Sequence, residues 1–262
     1  MYTSLSIQDT EQSSQISFVL ALLFFPFTAL VLSLESAQIR EVYGEMRWLL
    51  DLLTMGYCCL AFFHAKPKLK RLMAIIIPLS FMGEVIFCEW LELYTYRTDF
   101  IPIYVPFGHA IVYSAGYIFA DRSWVLRNKS FITYSSILFY SIIFLTAGLF
   151  FGDLFTLIFG ALFFAILYRK KWDNLYFLIA FGVVWVELVG THFGCWTWSE
   201  FSFNTIATAN PPLGAVFFYA GGDVLVSKID RFLGRRGDRT LAPQEAWQNC
   251  RADTDLHKPI SE

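Results

Sequence analysis

The stretch DNLYFLIAFGVVWVELVGTHFG, residues 173–194, decides how this chain folds. From Leu175 to Val186 it carries no charge, and only then does it admit Glu187 and, five residues on, His192. A helix of these 22 residues rises roughly 33 Å, which matches the hydrocarbon thickness of a bilayer. A soluble helix of that length would show a polar face, and this one has none. It reads as a membrane span that holds a carboxyl away from its basic end.

The rest of the chain agrees. Of its 262 residues 56% are hydrophobic and 16% charged, where soluble domains carry about 25% charged residues, so a soluble or disordered class is excluded. Aromatics reach 19%, which suits a protein solvated by lipid with Trp and Tyr at headgroup depth. A net charge of -2 without a basic arm leaves no electrostatic footprint for nucleic acid. Cys58, Cys59, Cys88, Cys195 and Cys250 show no paired spacing, so neither a zinc site nor a disulfide framework is expected. The N-terminus lacks a basic n-region and a clear cleavage site, and its first apolar run is expected to remain as a span.

Apolar runs of about 20 residues recur at 16–35, 47–64, 71–93, 104–121, 131–150, 153–168, 173–194 and 211–228. The expected fold is therefore an all-α polytopic membrane bundle of about eight transmembrane helices. Its transmembrane domain covers 16–228, between a cytoplasmic N-terminal segment, 1–15, and a flexible cytoplasmic tail, 229–262. Phe151-Gly152-Asp153 joins the fifth and sixth runs so tightly that they must form a hairpin. Cations collect after even-numbered runs, at Lys66, Lys68, Lys70, Arg71, Arg122, Arg127, Lys129, Arg169, Lys170 and Lys171, and again at Lys228, Arg231, Arg235 and Arg236. Loops after odd-numbered runs offer only Arg40, Arg47 and Arg97. The excess of cations on one side places both termini in the cytoplasm.

The two halves, 16–121 and 131–228, resemble one another. Glu84, Tyr94-Thr95-Tyr96, a loop, Val105-Pro106-Phe107-Gly108-His109 and then Tyr113 and Gly116 are echoed by Glu187, Trp196-Thr197-Trp198, a loop, Pro211-Pro212-Leu213-Gly214-Ala215 and then Tyr219 and Gly222. Four spans per unit imply a parallel 4+4 repeat.

Ionisable groups in a bilayer cost at least about 2.5–3.5 kcal/mol and need a partner or a purpose. Counted from the basic ends at 1.5 Å per residue, Glu84 stands roughly 20 Å above Arg71 and Glu187 roughly 24 Å above Lys171. His109 and His192 fall at similar depth. Glu84, Cys88 and Glu92 share a helical face, with Glu89 turned away, while Glu89, Glu92 and Glu200 read as interfacial. Gly190 and Gly194, Gly108 and Gly116, and Gly214, Gly221 and Gly222 are expected to let backbones approach closely. Spans three, four, seven and eight are thus expected at the centre. Helix-bridging hydrogen bonds without chemistry are the plain alternative for each acid, and an aromatic belt is the plain alternative for the Tyr and Trp pairs.

A carboxyl in a water-poor place can serve as a general acid. Facing an isoprenoid double bond, it can leave a tertiary cation to which a second carboxylate or His steers water. The candidate catalytic residues are Glu84, Glu187, His109 and His192. Tyr94, Tyr96, Tyr113, Trp196, Trp198 and Tyr219 are the candidate substrate-binding residues, the Tyr and Trp pairs walling the lipid-side mouth. The expected partner is a membrane lipid or isoprenoid substrate.

The run Glu187-Leu-Val-Gly190-Thr-His-Phe-Gly194-Cys-Trp196-Thr-Trp198, with Asn210-Pro211-Pro212-Leu213-Gly214, resembles the E-x-x-G, G-x-Y-x-Y and P pattern of the multi-span carotenoid-biosynthesis hydratases. Glu84, Tyr94-Thr-Tyr96 and Val105-Pro106 are similar to the same pattern. The resemblance implies hydration at the end of a lycopene-like or bacterioruberin-like chain. Trp replaces Tyr in the second copy and the pattern occurs twice, which leaves the substrate open. No cofactor is expected. Four His without paired spacing do not fit a di-iron membrane oxygenase, whereas a single metal site, or a haem between His109 and His192, stays geometrically open. A non-enzymatic carrier is the other alternative; it would need a polar track toward the cytoplasm, which Asp223 could extend.

Overall fold

In lipid every backbone N–H and C=O must find its partner within its own segment, so long apolar runs become helices. The computed structural model describes residues 2–98 and 100–234, with side chains from residue 15 on. Helices α1 (Tyr2–Ser33), α2 (Ala37–Tyr43), α3 (Arg47–His64) and α4 (Pro67–Glu84) come first. The last continues as a π-helical turn, Val85–Trp90, before the short strand β1 (Tyr94–Tyr96). Then follow α5 (Tyr104–Ala120), α6 (Ser123–Arg127), α7 (Lys129–Phe151), α8 (Leu154–Arg169) and α9 (Asn174–His192). The strands β2 (Trp196–Trp198), β3 (Phe201–Ser202) and β4 (Ile206–Ala207) and a 3-10 turn, Leu213–Ala215, lead to a last helix, α10, over 216–234.

A helix lies on each of the eight apolar runs. Among the described residues, four stretches are long and apolar enough to cross a membrane, Gln15–Ser33, Pro67–Trp90, Lys129–Phe151 and Asn174–His192, or five with α2 and α3 taken as one unit bent by 115°. The count of eight crossings does not follow from helix length. At 17 and 16 residues, α5 and α8 fall short of the roughly 20 that a span needs. Helix α1 begins at Tyr2, and the stretch of it apolar enough to cross a membrane begins at Gln15. A flexible tail does not begin at 229, since the helix runs on to 234. The remainder of that tail, with Arg235, Arg236, Cys250 and His257, lies outside the described residues.

Helix α5 is the hub. It packs against α1, α3, α4 and α9, and its middle, from Ala110 to Gly116, is buried without a break. The first two long helices therefore join the predicted third, fourth and seventh at the centre. Gly116 permits a close approach of α5 to α9: a Cβ there would lie 2.6 Å from the Ile179 side chain and 3.0 Å from its backbone. Helices α7 and α8 form the expected hairpin, in which Gly152 takes the left-handed conformation (φ 67°) and Asp153 caps α8 through Thr156 N at 2.9 Å. Large apolar side chains such as Phe131, Leu149 and Phe150 of α7 are exposed, as on a helix that meets lipid rather than water.

Two features at one end of the bundle organise the site. The first is an antiparallel ladder of β1 on β2, with Tyr94 opposite Trp198, Thr95 opposite Thr197 and Tyr96 opposite Trp196. The second is an ion cluster. Glu35, 2% exposed, pairs with Arg47 at 3.1 Å and Arg97 at 2.7 Å, and Arg97 reaches Glu45 at 3.0 Å. Partial burial raises the Glu45 carboxyl, but the hydrogen bond and charge of Arg97, with Arg47, hold it below the ordinary carboxylate value. This cluster ties the end of α1 and the start of α3 to the strand that follows the π-helical turn.

Candidate functional site

Glu84 is the last residue of the regular part of α4, and Glu187 sits five residues, about one and a half turns, from the end of α9. Both are buried. Each helix leads into one strand of the ladder, and each strand returns two aromatic donors to the acid before it. Glu84 Oε2 accepts from the Tyr94 and Tyr96 hydroxyls, both at 2.6 Å. Glu187 Oε2 accepts from the Trp196 and Trp198 indole N–H groups, both at 3.0 Å. Side chains on one face of a strand are spaced by two, which is why Y-x-Y and W-x-W each present both rings to one carboxyl.

The donors stand 10 and 12 residues after Glu84 but 9 and 11 after Glu187. The extra residue is absorbed by the π-helical turn Val85–Trp90, since a wider turn accommodates an inserted residue without breaking the helix. Burial, followed by the charge of Glu84, holds the Tyr94 and Tyr96 hydroxyls well above the ordinary phenol value. They stay protonated and act only as donors to Glu84.

His109 completes the Glu84 half. Its Nδ1 lies 3.0 Å from the Val105 carbonyl, which can only accept, so Nδ1 carries a hydrogen. The other nitrogen, Nε2, faces Glu84 Oε1 at 3.4 Å. Carboxyl and imidazole can therefore hold one proton between them, as carboxylate and imidazolium or as acid and neutral base. Tyr219 stacks on the imidazole, centroids 5.1 Å apart and planes within 8°, and fixes the ring. One turn further along α5, the Tyr113 hydroxyl donates to buried Asp223 at 2.7 Å.

All of these groups but Asp223 line one cavity of about 500 Å³, within the usual range for small-molecule sites. Its wall includes Glu84, Glu187, His109, Tyr94, Tyr96, Tyr113, Trp196, Trp198 and Tyr219. Apart from these groups the wall is mostly hydrocarbon, much of it from Phe24, Phe27, Val31 and Leu32 of α1.

His192 does not join them. It is exposed on the last turn of α9 beside Phe193, because five residues of helix turn it about 140° from Glu187. His109 and His192 are thus not brought together to hold a metal or haem, and no group of three or more His, Cys, Asp or Glu suited to a metal ion occurs among the described residues. Glu92 also leaves the face of Glu84, being exposed with φ at 49° past the π-helical turn; Glu89 and Glu200 are exposed too. The Tyr and Trp pairs are not a mouth, since they hydrogen-bond the acids at the ladder end.

The glycines divide into two kinds. A Cβ on Gly190 would lie 2.0 Å from the Trp196 ring, and one on Gly214 would lie 2.8 Å from Thr156 Cα. Gly190 therefore seats an indole from its own chain rather than a neighbouring helix. Gly108, Gly221 and Gly222 line the cavity and have nothing within 4 Å of such a Cβ.

Sequence reasoning missed the α1 wall, the Glu35 cluster and Asp51, which accepts from Tyr104 N at 3.0 Å and so caps α5. The readable signal was the rarity of Arg47 and Arg97 among the odd-numbered loops, since a cation there needs an acid. No known protein family, curated protein or solved structure matches this chain.

Proposed function

We propose that the chain is an integral membrane enzyme that acts on a lipid-soluble, isoprenoid or carotenoid-like substrate by acid–base chemistry inside the bilayer. The observation that carries this reading is the pair of buried carboxyls, each held through one oxygen by two aromatic donors and each lining the same apolar cavity. One carboxyl gives its proton to a carbon of a substrate double bond, and the π electrons form the new C–H bond. A tertiary cation remains beside the aromatic walls, which attract cations. In hydration, water adds its oxygen to the cation and releases a proton to the other carboxyl or to His109. The sum is alkene plus water to tertiary alcohol, and the enzyme's proton is restored. In isomerisation the cation instead loses a proton from a neighbouring carbon to the same base, and the double bond moves.

The finer architecture belongs to the same proposal. Eight crossings place both termini in the cytoplasm and the ladder beneath the outer headgroups. The halves form a parallel 4+4 repeat, with Thr95 and Thr197 paired at the middle of the ladder. The matching roles of Glu84 with its tyrosines and Glu187 with its tryptophans support this.

Glu84→Gln and Glu187→Gln keep the size of each side chain and remove the acid. Each is expected to lower product formation from extracted membrane isoprenoids by roughly 10²–10⁴-fold while thermal unfolding in detergent stays near the parent. Full activity in both variants removes the acid–base chemistry. A carrier is the second reading, favoured by Tyr113–Asp223, which extends polarity from the cavity along α5 and α10. Asp223→Asn separates the two, because a carrier loses transport while an enzyme confined to the acid pair keeps its turnover.

A further inference from the structure

The cavity wall is not equally covered. On α4, Met82 lines the cavity yet is 61% exposed, and on α10 Leu225 lines it and is 44% exposed. On α10, Gly221 and Gly222 also line it, with nothing within 4 Å of an added Cβ. Glycine weakens a helix interior relative to alanine, and no neighbour demands it here, in contrast to Gly116, Gly190 and Gly214, whose added Cβ would fall within 3.0 Å of another residue. What remains for Gly221 and Gly222 is clearance.

Helices α4 and α10 are tied at both ends of this gap. Phe87 packs on Phe218 with centroids 4.6 Å apart, and Arg71 pairs with Asp230 at 3.2 Å. From Phe218 to Asp230 the helix rises roughly 18 Å, the span between the two ties. Ser80 gives its hydroxyl to the Ile77 carbonyl, Asp223 is bonded to Tyr113 and Tyr219 is stacked on His109, so the edges of the gap offer hydrocarbon. A polar headgroup passing here would lose its hydrogen bonds to water without replacement.

We infer that the gap between α4 and α10 is a lateral portal through which an isoprenoid hydrocarbon chain enters from the bilayer, reacting end first. Its end reaches Glu84, Glu187 and His109, and the rest of the chain lies across Gly221 and Gly222 with its tail in lipid. The chemistry at the inner end rests on the function proposed above, but the route does not need it.

The test uses the full chain in phosphatidylcholine nanodiscs and a C20 isoprenoid hydrocarbon with a diazirine beside its terminal double bond, and cross-linked residues are identified by mass spectrometry. Adducts are expected on cavity residues such as His109 and Tyr219. Gly222→Trp should lower them at least tenfold, with Gly222→Leu as the milder plug should the larger one unfold the protein. Gly56→Trp puts the same bulk on an exposed face of α3, where a Cβ meets nothing, and should leave them unchanged. Glu84→Gln and Glu187→Gln should keep the adducts. Absence of cavity adducts in the parent, adducts that survive the plug in folded protein, or an equal loss with Gly56→Trp would each overturn the portal. Plug-sensitive adducts without turnover in the parent would sustain the portal and overturn the acid–base reading instead.

Discussion

A buried carboxyl is governed by the groups that donate to it, and here two acids in similar surroundings have different donors. Glu84 accepts from two hydroxyls and has an imidazole nitrogen 3.4 Å away, whereas Glu187 accepts from two indoles. Glu84, Glu187 and His109 were legible because an ionisable group in an apolar run is unusual whatever surrounds it. His192 was misjudged because depth was counted and rotation was not. The seat of Trp196 makes a direct test. Gly190→Ala pushes a methyl into the indole, and a clash of this kind costs about 1–3 kcal/mol. Loss of the N–H donor to Glu187 is worth about 1 kcal/mol, roughly a fivefold fall in product formation. Adding Trp196→Phe should recover part of the thermal stability without recovering the donor, which a melt and a turnover assay on the same samples will separate.

At the scale of elements, the π-helical turn, the ladder and the ion cluster together aim the Tyr donors. The turn absorbs one residue, the ladder sets the register, and Arg97, one residue beyond Tyr96, anchors the strand to Glu35 and Glu45. Removing one member of a buried ion pair leaves the others uncompensated and costs about 3–5 kcal/mol. Glu35→Ala is therefore expected to lower thermal stability by that much, while Glu45→Ala, an exposed partner, should cost about 1 kcal/mol or less. Equal effects of the two in detergent melts would remove the cluster as the anchor of the ladder. The π-helical turn and the ladder were not legible beforehand: a run of residues read as one continuous span, 71–93, gives no sign of where a helix widens and stops. The pairing of β1 with β2 joins segments about a hundred residues apart.

Across the whole molecule the proposed topology is open to labelling. In a background without reactive native thiols, Thr205→Cys in the loop between β3 and β4 should react with a membrane-impermeant maleimide on intact cells. Arg169→Cys at the end of α8 should react only after permeabilisation, and the reverse pattern inverts the bundle. Sequence alone determined the class, because covering this much hydrocarbon leaves helices in lipid as the stable solution, and it located each long helix by its apolar run. It also singled out both acids and the aromatic pairs. Tertiary structure alone decided that Tyr94, Tyr96, Trp196 and Trp198 serve the acids instead of forming a mouth, that α1 supplies a wall, and that His192 stands outside. Hydropathy is a local sum over neighbours in the chain, whereas a cavity is made by side chains that meet only when helices pack in one rotation.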